Sequence, residues 1–91
     1  MNEKEKKLLI DNMTENLPML RKKLEITQEE LANLIGVSRS TIMAIENQKR
    51  EMTWNMFLSL VLNFTKNKDT DMFLNVLEIY TDKLNDFIKC N

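Results

Sequence analysis

Apolar residues recur along this chain at intervals of three and four, the spacing of one helical face, and strict alternation is absent. Leu8, Leu9 and Ile10 oppose a polar EKEKK run, predicting a short helix over 3–12. Ile10, Met13, Leu17, Leu20 and Leu24 form one stripe, predicting a helix over about 15–25 with Thr14 or Asn16 as cap. Pro18 then falls in the first turn, where its missing N–H costs little. Thr27-Gln28-Glu29-Glu30 reads as a capping box. The helix it opens, about 28–35, turns Leu31, Leu34 and Ile35 inward. Ser38 caps a helix over about 39–46 with Ile42 and Ile45 inward. Thr53 caps one over about 54–65, apolar around most of its circumference and so buried on more than one side. Phe73, Leu77, Tyr80, Leu84 and Phe87 step by four and three, predicting a last helix from 70 or 71 to 88, capped by Asp69 or Thr70. That seam serves the core or a second subunit, with neither preferred.

The single glycine, Gly36, separates two short helices. A steep crossing over so short a turn needs a residue tolerant of left-handed φ, a small residue where the helices touch, and apolar residues filling the joint. Gly36, Ala32 and the set Leu31, Ile35, Val37, Ile42 and Ile45 meet these needs together, which is the helix-turn-helix pattern.

Composition narrows the function. The 91 residues suit one small domain, and one Gly and one Pro leave little for the turns of an all-β fold. There is no His, and Cys90 is the only Cys, so metal clusters, disulfides and the usual general bases are missing. An enzyme is not expected, nor a cofactor. The seven Met do not cluster and read as core filler. No apolar run is long enough for a membrane span, and the charged start is not a secretion signal, so a cytoplasmic protein is expected. The net charge is −1 and no block is strongly basic. Contact with nucleic acid must therefore come from the placement of a few residues rather than from a broad field.

TQEELANLIGVSRSTIMAIENQKR, residues 27–50, resembles the Cro/C1-type, phage-repressor-like (XRE family) helix-turn-helix regulators. The resemblance covers about 15–64. It implies an all-α fold, a five-helix lambda-repressor-like DNA-binding domain with an additional C-terminal helix. The chain divides accordingly into an N-terminal helical extension (1–13), the helix-turn-helix domain (14–65) and a C-terminal helix for core or dimerisation (66–91). Family members usually carry Gly, and soon afterwards Pro, beyond the recognition helix; here Gln48 takes the place of that Gly and the Pro is absent.

A second motif helix entering the major groove leads with its N-terminal residues. Its outward positions are Arg39, Ser40, Met43 and Ala44. Arg39 suits guanine, Ser38, Ser40 and Thr41 suit base edges or phosphate, and Met43 and Ala44 suit thymine methyls. Gln28 opens the first motif helix, where free amides favour phosphate, and the resemblance makes it a phosphate ligand and brace. Asn47, Lys49 and Arg50, in the loop beyond, suit phosphate. The resemblance also implies a largely buried ion pair between Arg21 and Glu46. The expected function is sequence-specific binding of double-stranded DNA by a homodimer on a palindromic operator, as a transcriptional regulator, most simply a repressor. Dimer contacts are expected from 54–65 and 72–88. The alternative is an antitoxin or anti-repressor acting mainly through a protein partner.

Overall fold

The computed structural model describes residues 1–89. Among them are six helices and no strand: α1 (Glu3–Lys23), α2 (Gln28–Ile35), α3 (Arg39–Glu46), α4 (Trp54–Thr65), α5 (Lys68–Val76) and α6 (Asp82–Lys89). α1 packs against α3, α4 and α5; α2 packs on α3 and α4; α4 packs on α5. Met13, Leu17, Leu20, Leu31, Ile42, Ile45, Phe57, Leu60, Phe64, Leu74, Ile79 and Leu84 are fully buried in one core to which every helix contributes or abuts. Each such side chain contributes about 1.5–3 kcal/mol relative to exposure.

Where two N-terminal helices were expected, a single helix runs from Glu3 to Lys23. Asn2 starts it with a capping box, accepting the Glu5 amide while Glu5 accepts the Asn2 amide. Thr14 and Asn16 are not caps: their side chains donate to the carbonyls of Ile10 and Asn12 one turn back, both at 2.8 Å. Pro18 is interior and removes one backbone hydrogen bond. The unbroken buried stripe Leu9, Met13, Leu17, Leu20 outweighs that loss. Leu8, expected on the apolar side, is exposed.

The expected last helix is also divided. α5 begins two or three residues earlier, at Lys68, with Asn67 accepting the Asp69 amide, and ends at Val76; α6 starts at Asp82. Between them Glu78 takes a left-handed φ of 57°. The Ile79 amide donates to Leu74 O at 2.8 Å and the Glu78 amide to Asn75 O at 3.1 Å. This double closure lets Ile79 pack with Leu74, the apolar contact that accompanies such a cap. The heptad seam is therefore not one continuous stripe. Leu84 is buried, and Phe73, Leu77, Tyr80 and Phe87 lie half-buried against the core of the same chain. α6 is held by Leu84, by the Tyr80 hydroxyl donating to Asn85 Oδ1 at 2.8 Å, and by a Lys83–Glu5 ion pair to α1. That pair holds the Glu5 carboxyl below the usual carboxylate range, chiefly through the Lys83 hydrogen bond.

Thr70 is a polar residue buried completely, backbone and side chain together. Its hydroxyl reaches Phe64 O at 2.6 Å and Asn67 O at 3.1 Å, closing the α4–α5 turn. Thr70→Val keeps the shape and strands the Phe64 carbonyl, while the Asn67 carbonyl still accepts the Thr70 and Asp71 amides, so it is expected to destabilise by about 1–2 kcal/mol. Thermal unfolding measures this; an unchanged midpoint would mean that the hydroxyl contributes nothing.

Candidate nucleic-acid interface

α2 and α3 meet at the corner the sequence marks. Thr27 caps α2 with the expected capping box, accepting the Glu30 amide at 3.0 Å while Glu30 accepts the Thr27 amide at 2.9 Å. Gly36 ends α2 at φ +76°. An added Cβ there would meet nothing within 4 Å. The glycine therefore answers to backbone conformation, not to crowding. Ala32 is buried at the crossing and Val37 donates its amide to Ala32 O at 3.0 Å. Leu34, expected inward, is 54% exposed. Leu31 and Ala32 are the buried residues of α2; Leu34 points about 160° away from Ala32 on this two-turn helix and so lies outside the crossing.

Ser38 caps α3, its hydroxyl accepting the Thr41 amide at 3.2 Å. Ile42 and Ile45 point into the core, which turns Ser40, Met43 and Asn47 outward and leaves Ala44 half-buried beside them. Arg39 is exposed, bordering a shallow depression shared with Arg21, Thr27, Gln28 and Glu29 at the start of α2. Neither Arg39 nor Arg50 is ion-paired among the described residues.

The end of α3 is fastened from behind. Glu46 Oε2 accepts from Arg21 Nε at 2.8 Å, and Oε1 accepts from Arg21 Nη2 at 3.1 Å and from Gln28 Nε2 at 3.0 Å. Arg21 Nη1 donates to Ile26 O at 3.1 Å. The side chains of Arg21 and Glu46 are 14% and 5% exposed, so the pair is largely removed from water. Hydrogen bonding to Glu46 holds the Arg21 guanidinium above its ordinary range, against the opposing effect of burial. One carboxylate at the end of α3 thus ties α1, α2 and α3 together. One N–H of the Gln28 amide serves this brace, and its backbone stands at the start of α2.

Beyond α3, Gln48 adopts φ 58°. The Lys49 amide reaches Ala44 O at 2.8 Å and the Gln48 amide Ile45 O at 3.0 Å. A glutamine thus takes the left-handed position for which glycine is suited. Met52 is buried and Glu51 pairs with Lys7 of α1 at 3.0 Å, so the loop is pinned at its far end. Lys7, 44 residues away, carries no local signal of this role. Lys49 and Arg50 are exposed. Arg50 Nη1 donates to Thr41 Oγ1 at 3.1 Å, placing the loop guanidinium against the first turn of α3.

The family described as a helix-turn-helix domain matches residues 14–80, well over half of the chain. The chain belongs to the helix-turn-helix domain family. The match extends past α4 through α5 to Tyr80, farther than the motif itself. No curated protein and no solved structure matches the chain significantly. Membership in the helix-turn-helix family makes DNA the partner to be considered for α3, and a DNA-binding regulator the class of activity. Among the described residues no His, Cys, Asp and Glu cluster is placed to hold a metal ion, and no helix is long and apolar enough to cross a membrane. Cys90 lies outside the described residues.

Proposed function

We propose that this helix-turn-helix protein is a sequence-specific, double-stranded-DNA-binding transcriptional regulator of the Cro/C1 (XRE) type, acting in the cytoplasm as a repressor. α1–α5 correspond in this reading to the five-helix lambda-repressor-like unit, with α6 as the addition. The observation that carries it is the outward side of α3, where Arg39, Ser40 and Met43 stand clear of the core beside the N-terminus of α2. α3 enters the major groove with its first turn leading. Arg39 reads guanine O6 and N7, and Met43 and Ala44 meet thymine methyls. The start of α2 at Gln28, the cap at Ser38 and the loop residues Asn47, Lys49 and Arg50 lie against the sugar-phosphate backbone.

One such unit reads a few base pairs, so a twofold dimer on a palindrome supplies useful affinity, with half-sites one turn, roughly 34 Å, apart. Leu62 on α4 and Met72 and Val76 on α5 are large apolar side chains left in solvent, and they support a dimer contact from these helices. The same residues favour a second reading, an antitoxin or anti-repressor that works through a protein partner. A salt titration separates the two, because specific duplex binding weakens steeply with salt.

Selection from random duplexes tests the first reading. The wild type is expected to enrich a palindrome. Arg39→Ala is expected to lose roughly 1–3 kcal/mol of discrimination at one symmetric pair of positions. An enriched pool without a shared motif would remove direct base readout.

A further inference from the structure

Thr41 and Arg50 are joined in a way that neither position in the sequence suggests. Arg50 Nη1 donates to Thr41 Oγ1 at 3.1 Å, and Thr41 Oγ1 lies 2.9 Å from Ser38 Oγ, which accepts the Thr41 amide. Three polar groups therefore fix a loop guanidinium to the first turn of a helix nine positions earlier. Residues two apart on a helix point about 200° apart. Arg39 and Thr41 consequently occupy opposite flanks of α3. The Arg39 flank faces the start of α2, where it borders Thr27 and Gln28. The Thr41 flank faces the loop and carries Arg50. The ridge between them, Ser40, Met43, Ala44 and Asn47, has no charge.

A helix lying in the major groove turns its ridge to the base edges and its flanks to the two sugar-phosphate walls. Resting on the DNA reading above, we propose that Thr41 is a positioning residue that holds the Arg50 guanidinium against a phosphate on the groove wall opposite the one met by the start of α2. One guanidinium N–H is used by Thr41, which leaves four for phosphate oxygens. Thr41 itself touches no base. Its hydroxyl is already engaged on both sides, by Ser38 and by Arg50. The α3 helix is thereby gripped from both walls, which sets how deeply and at what tilt its uncharged ridge meets the bases.

The test uses the full chain and the duplex that the wild type enriches from random sequence. Affinity is measured across a salt series for Thr41→Ser, Thr41→Val, Thr41→Ala, Arg50→Ala and the double Thr41→Val/Arg50→Ala. Arg50→Ala is expected to weaken binding about tenfold on every duplex. It should also lower the slope of log affinity against log salt by about 0.9, one phosphate contact. Thr41→Val is expected to reproduce both changes without altering base preference. Thr41→Ser keeps the hydroxyl and should bind like wild type. The double substitution should be no worse than Arg50→Ala alone. Thr41→Ala repeats the test if Val disturbs the helix, and melting by circular dichroism shows which variant is folded. Wild-type affinity and slope in folded Thr41→Val or Thr41→Ala would overturn the positioning role. So would relaxed preference at one base pair in those variants, or losses that multiply in the double. In each of these cases Arg39→Ala would still report on the DNA reading itself. Failure of the wild type to enrich any duplex would sink both.

Discussion

Glu46→Ala is expected to destabilise the protein by about 3–5 kcal/mol, a large share of the stability of a domain this size. The carboxylate is nearly buried and accepts three hydrogen bonds, two from Arg21 and one from Gln28. Removing it leaves a guanidinium charge in a site only 14% open to water. The cost is that of the stranded charge rather than of the pair itself. Arg21→Met/Glu46→Leu, which removes both charges and fills the space, is therefore expected to recover most of the loss. Denaturant unfolding of Glu46→Ala and of the double measures it. A Glu46→Ala protein as stable as the wild type would mean that water reaches Arg21 freely, and a double as unstable as the single would place the cost in lost packing instead.

The second large effect runs the other way. Four helices end in the same reverse-turn cap, each with one left-handed residue: Glu25 after α1, Gly36 after α2, Gln48 after α3 and Glu78 after α5. Only one of the four is glycine. Side chains in this conformation cost roughly 1–2 kcal/mol, part of which Gly returns as extra freedom in the unfolded chain. Glu25, Gln48 and Glu78 are all exposed, so truncating them loses little packing. The triple Glu25→Gly/Gln48→Gly/Glu78→Gly is expected to gain about 2–3 kcal/mol, each substitution acting on its own helix end. A domain of this size should then melt roughly 8–24 °C higher. Gly36→Ala is the counterpart: with no crowding at the added methyl, its loss isolates the conformational cost. Should the triple melt no higher than wild type, the left-handed caps are not strained.

These caps also explain which parts of the fold could be read in the sequence. The α2–α3 corner was legible because its signals are local and agree: the Thr27 box, Gly36, the Ser38 cap and the Ile42–Ile45 spacing all fall within 24 residues. The break between α5 and α6 was not legible, because Glu78 at its left-handed position looks like any helix-forming residue. The cap is stabilised by Leu74 and Ile79 meeting in a core that only the folded chain assembles. At α1 the error was the reverse. Pro18 and two good cap residues signalled a boundary, and the buried stripe on either side of them overrode it. The Arg21–Glu46 pair followed from family resemblance, and the structure forms it. The share of Gln28 in it, and the hold of Thr41 on Arg50, depend on side chains meeting across 18 and 9 positions, beyond any helical repeat.

Trp54, the chain's one indole, stacks on Phe57 at 4.9 Å and meets the edge of Phe87 at 5.9 Å, with the Lys6 ammonium 5.3 Å from its ring. It therefore sits where the first, fourth and last helices converge. The protein carries its own fluorophore at that junction, so undocking of α6 can be followed by intrinsic emission, without a label and separately from loss of helix elsewhere.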